Sequence, residues 1–120
     1  MDLYSVMCVR DRAKANEWYG VFFGRPADVV IGEEYLWQVG ENAYVVVDDR
    51  DVRAAYVGGA MITLGVTDLD DILSRLAAHG IDHEPVETYG NGVRHVVVLD
   101  PDGNSLSLAE APAESGTVAE

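Results

Sequence analysis

At 120 residues and 48% hydrophobic content, the chain is long enough for one packed domain and too apolar to be disordered. Its formal net charge of −13, from 21 acidic residues against 8 Lys and Arg, repels phosphate backbones and anionic lipid, which argues against nucleic-acid and membrane partners and favours cations. No apolar run approaches the ~20 residues of a membrane span. The opening residues Met1-Asp2-Leu3-Tyr4 lack the basic and apolar segments of a signal peptide, and the single cysteine, Cys8, leaves no intrachain disulfide. Both features predict a reduced, cytoplasmic setting.

In chain order, Leu3 to Val9 reads as a strand with Tyr4, Val6 and Cys8 on one face. Asp11 is a predicted N-cap for a helix running to about Phe23, with Ala15, Trp18, Tyr19 and Phe22 as its buried stripe. Gly24 closes the helix and Pro26 bars its continuation. Val29 to Ile31 and Glu34 to Val39 follow as strands, the second with Tyr35, Trp37 and Val39 on one face. Gly40-Glu41-Asn42 turns the chain into Ala43 to Val47, a continuous apolar strand. Asp48 to Val57 is a charged connector ending at Gly58-Gly59.

The second half begins as the first does. Ala60 to Val66 is a predicted strand and Asp68 a predicted N-cap. Leu69, Ile72, Leu73 and Leu76 then define an amphipathic helix that ends near Gly80. Strands are expected at His83 to Tyr89, Arg94 to Leu99 and Ser105 to Glu110. Val9-Arg10-Asp11 precedes Val66-Thr67-Asp68 by 57 residues, and Gly24 precedes Gly80 by 56. That repeat predicts an α+β fold of two βαβββ modules, about 1–55 and 58–112, with curved mixed sheets around a cavity and helices on the outer face. Residues 113–120 read as a flexible tail.

Between the last two strands lies Asp100-Pro101-Asp102-Gly103-Asn104. Pro101 presets φ for the second turn position and Gly103 supplies the positive φ that closes the hairpin. This hairpin, the internal repeat, the strand-to-helix junctions and the Trp18-Tyr19 pair before Gly24 together resemble the vicinal oxygen chelate superfamily. That group holds glyoxalases, extradiol dioxygenases and bleomycin-resistance proteins. Its metalloenzymes take ligands from four strands, and the resemblance places those positions on Tyr4, on Val45 or Val46, on Met61 and on Ser107. None is a His or a carboxylate, so the inherited metal site is expected to be absent, with no other cofactor implied.

Other polar groups offer no replacement. His79 and His83 flank a glycine turn, and only His95, inside a strand, could reach the cavity. Glu33-Glu34 and Asp48-Asp49 are consecutive pairs whose members diverge. Cys8 has no neighbour in sequence that would activate it, and Ser105 and Ser107 lack an identifiable base, so no catalytic residue is assigned. The candidate ligand-binding set is Tyr4, Val6, Tyr35, Trp37, Val46, Met61, Thr63 and Ser107, rich in rings that stack on aromatic or cationic groups. The resemblance to the bleomycin-resistance branch implies a metal-independent homodimer that sequesters an aromatic antibiotic or metabolite, and the acidic charge favours cationic ones. The alternative is an enzyme of the same superfamily, a lyase, isomerase or dioxygenase, working through a non-standard site.

Overall fold

The computed structural model describes residues 1–112, so the tail expected at 113–120 lies outside the described residues. Its elements are β1 (Leu3–Cys8), α1 (Arg12–Phe23), β2 (Val29–Ile31), β3 (Glu34–Gly40) and β4 (Ala43–Asp48), then a 3₁₀ helix (Asp51–Tyr56). The second half contains β5 (Met61–Gly65), α2 (Leu69–Ala78), β6 (Glu87–Thr88), β7 (Arg94–Leu99) and β8 (Ser105–Glu110). The first sheet has the order β1-β4-β3-β2 and the second β5-β8-β7-β6. Each module's first strand runs parallel to its last because a helix carries the chain across between them. The repeated order is the two-module architecture that the sequence repeat predicts.

Both helices cover one face of a sheet, and the two covered faces share a single core. Met7, Tyr19, Trp37 and Val47 from the first module meet Leu69, Leu76, Val98 and Leu106 from the second. The opposite faces are not covered by helices, and the sheets do not close on each other within one chain: Tyr4 is 53% exposed and Met61 79%, while Val46 and Ser107 in the central strands are buried. Strands β1 and β5 form free sheet edges.

The Asp100–Asn104 hairpin fastens the halves together. Asp100 Oδ1 accepts from the backbone N–H groups of Asp102 and Asn104, at 2.9 and 2.8 Å. Its Oδ2 accepts from the Tyr19 hydroxyl on α1 at 2.6 Å and from Asn104 Nδ2 at 2.8 Å. Asn104 Nδ2 also donates to the Cys8 carbonyl on β1, and its Oδ1 accepts from Ala60 N–H. Gly58, at φ +77°, packs so closely that a Cβ there would run into the Asp102 carbonyl. Burial, with Asp100 beside it, raises the Tyr19 phenol far above its ordinary range, so the hydroxyl stays a donor. A second tie joins the helices, where Arg75 of α2 donates to the Val21 and Phe22 carbonyls at the end of α1.

Four expectations change. Tyr35 and Trp37 do share a face of β3, but it is the helix-covered one. Trp37 is fully buried, its Nε1 donates to the Arg25 carbonyl, and its ring stacks on Phe23 at 5.5 Å. Tyr35 packs partly buried on the same core beneath the Arg12 guanidinium. Neither ring faces the open side. The strand expected over His83 to Tyr89 shrinks to β6, because Pro85 has no N–H to give and the preceding segment joins β7 only through Glu84 N–H and the Val97 carbonyl. The charged connector holds a 3₁₀ helix. Asp68 makes no side-chain cap; Glu110 of β8 accepts from Leu69 N–H instead.

Replacing Trp37 with Ala removes a buried ring and leaves a cavity beneath both helices. The expected cost is about 3–5 kcal/mol in denaturant unfolding. A loss below about 1 kcal/mol would mean the ring is not a core element.

Candidate functional site

Strand parity sorts the candidate residues. On the open face of the first sheet, Tyr4 pairs with Tyr44, Val6 with Val46 and Cys8 with Asp48. On the open face of the second, Met61 pairs with Ser105 and Thr63 with Ser107. Six of the eight predicted ligand-binding residues (Tyr4, Val6, Val46, Met61, Thr63 and Ser107) therefore lie on open faces, three on each sheet. Tyr35 and Trp37 do not.

The first sheet carries the clearer surface for a ring. Tyr4 and Tyr44 stack with centroids 5.0 Å apart and planes 8° from parallel. Tyr44 was readable as an open-face residue, since it stands two positions from Val46. Farther along the same face, Val6 and Cys8 border a hollow of roughly 450 Å³, walled by Arg53 and Tyr56 from the 3₁₀ helix. Those two walls come from the charged connector, a segment without the periodicity that would predict an element. On the second sheet, Thr63 lines a cleft of roughly 430 Å³ at the free edge of β5. Arg25 and Arg75 also line this cleft, but each is bonded to a carbonyl or carboxylate of the fold.

Asp48 closes the inner end of the first open face. Its carboxylate is fully buried, with Arg50 donating from Nε at 3.0 Å and Nη2 at 2.7 Å, and Arg53 Nε 3.7 Å away. Arg50 Nη2 also reaches Glu34 at 3.3 Å. The Arg50 hydrogen bonds hold the Asp48 carboxyl below its ordinary range against the opposing effect of burial. Burial, reinforced by Asp48, pushes the Cys8 thiol up, which makes it a poor nucleophile.

The family's metal positions can be tested against this geometry. Val45 faces the core, so Val46 is the open-face residue of β4. Tyr4, Val46, Met61 and Ser107 then offer a phenol, an alkyl group, a thioether and a hydroxyl, a set that does not fit a hard divalent ion. Among the described residues no three His, Cys, Asp or Glu side chains converge to hold a metal.

Comparison with known proteins identifies the class. Residues 4–108 match the model of the Glyoxalase/Bleomycin resistance protein/Dioxygenase superfamily, and the chain belongs to that family. It is 34% identical to the glyoxalase/bleomycin resistance protein of Catenulispora acidiphila DSM 44928, over 93% of this chain and 99% of that one, with a TM-score of 0.82. Oxidase ChaP-H1 superposes with a TM-score of 0.76 at 22% identity, covering 93% and 96% of the two chains. Lactoylglutathione lyase from Agrobacterium tumefaciens gives 0.72 at 21% identity over 92% of each chain. At those identities the oxidase and the lyase share the fold alone. No curated protein sequence matches the chain. Among the described residues no helix is long and apolar enough to cross a membrane.

The Asp48 cluster predicts an acid limb to stability. A carboxyl held low in the folded state leaves the unfolded chain binding more protons as pH falls. The stabilisation is present above the ordinary Asp value, about 3.9, and is lost as pH drops through the lower folded value. Asp48→Asn should flatten the fall in unfolding free energy below about pH 4. An unchanged slope would place the acid sensitivity elsewhere.

Proposed function

We propose that the chain is a metal-independent binding protein that sequesters an aromatic, cation-bearing small molecule, an antibiotic or a metabolite, in a reduced cytoplasmic setting. The observation that carries this reading is the stacked Tyr4–Tyr44 pair on an open sheet face of a chain with net charge −13. Aromatic faces attract planar rings and cations, and the acidic field raises the local concentration of cationic ligands. The donor set at the family's metal positions, unsuited to a hard divalent ion, supports binding over metal-assisted chemistry, and a relative described as a glyoxalase/bleomycin resistance protein is compatible with it.

The same reading takes the working unit as a homodimer. Exposed Leu3, Tyr4, Met61 and Leu99 and the free edges β1 and β5 are surfaces that a second copy would cover.

Calorimetric titration with metal-free bleomycin tests the binding, and sedimentation of the same samples tests the assembly. Saturable binding by a species of twice the chain mass is expected. Tyr4→Ala should weaken binding by about 0.5–2 kcal/mol with little change in melting temperature. Absence of saturable binding with bleomycin and other cationic aromatic compounds would remove the sequestration reading. A monomer at saturating ligand would remove the dimer.

A further inference from the structure

We infer that Glu87, His95 and Tyr89 form a proton-gated subsite for the cationic group of an aromatic ligand, a refinement that rests on the cation-binding reading above.

Strand register places these groups on the open face of the second sheet. Gly65 pairs with Ala109, Ala109 with His95, and His95 with Glu87, so the four residues form one row across β5, β8, β7 and β6. The first two contribute almost no side chain, and a Cβ built on Gly65 would meet nothing within 4 Å. The row is therefore a bare floor that ends at an imidazole. The His95 ring stacks on Tyr89 with centroids 5.7 Å apart and planes 23° from parallel. Its Nδ1 is buried and has no hydrogen-bond partner, and the nearest charge is Glu87 Oε1 at 3.9 Å.

The unpaired nitrogen leaves Glu87 as the charged partner nearest the imidazole. Glu87 is also uncommitted: it is 66% exposed, and among the described residues no Lys or Arg pairs with it. The remaining charged groups of these strands turn away. Arg94 and Glu110 lie on the opposite face, where Arg94 binds Glu110 and Asp70, and Glu110 accepts from Leu69 N–H. Among the described residues, Glu87 is the charged group paired with His95 and Tyr89 stacks on its ring, while Glu84 lies against β7 farther along, where its N–H binds the Val97 carbonyl.

That isolation gives the proton its effect. With His95 neutral, the Glu87 carboxylate is free for an ammonium or guanidinium, and the half-exposed Tyr89 ring adds its negative face. When the imidazole takes up one proton, it draws Glu87 to itself across the 3.9 Å gap and brings a positive charge into the subsite. The local charge changes from negative to neutral and the ligand's cation loses its partner. By linkage, binding the ligand releases that proton.

The test uses the full chain and benzyltrimethylammonium, whose charge does not titrate, followed by two-dimensional NMR. At pH 8 the probe should move the Gly65, Tyr89 and His95 signals in a saturable way. Its Kd should rise about three- to tenfold at pH 5.5. His95→Gln should keep binding and lose the pH dependence, while Glu87→Gln should weaken binding at pH 8 to the acid level. Shifts confined to Tyr4 and Tyr44 would overturn the subsite and leave the sequestration reading standing. An unchanged pH slope in His95→Gln would overturn the gating. No saturable shift anywhere would overturn the subsite, and the bleomycin titration would then decide the sequestration reading separately.

Discussion

One buried carboxylate holds this molecule together. Asp100 accepts four hydrogen bonds, two from its own turn, one from the Asn104 amide and one from the Tyr19 hydroxyl of the other module. A buried carboxylate without partners would be strongly destabilising, whereas one with its acceptor sites filled fixes the groups around it. The Asn104 amide extends the hold to β1 and to the residue before β5. The first strands of both modules are therefore placed by one hairpin, and with them the positions where this fold carries its chemistry.

The consequence is a division of labour between the faces of each sheet. The helix-covered faces merge into a shared core that includes Trp37 and Tyr19. The opposite faces are only partly packed: Tyr4 and Met61 are exposed there, whereas Val46, Asp48 and Ser107 are buried. At the positions where metalloenzymes of this superfamily place ligands, the chain has Tyr4, Val46, Met61 and Ser107. Nearby it has a stacked tyrosine pair, a hollow bordered by Val6 and Tyr56, and an imidazole row on the second sheet. Such surfaces suit rings and organic cations better than metal ions.

Much of this was legible because local chemistry and tertiary structure agree. The Asp11 cap, the Gly24 stop and the alternation in β1 and β8 each carry a mechanism that needs no distant partner. Periodicity showed that Tyr35 and Trp37 share a face but could not say which face, since that depends on where α1 docks. A strand is expected over His83 to Tyr89, yet Pro85, which has no N–H to give, confines pairing with β7 to two residues. The Asp48–Arg50–Arg53 cluster was hidden for a related reason. Consecutive charges normally diverge, and only the turn into the 3₁₀ helix swings both guanidiniums onto one carboxylate.

The central claim is that this member of the superfamily binds its ligand through rings and charge, without a metal held by its open faces. Elemental analysis of protein purified without chelators tests it most directly. The account predicts transition metals and other divalent ions far below one per chain, with ligand binding undiminished after dialysis against a chelator. One equivalent of tightly held metal, lost together with ligand binding on chelation, would contradict it.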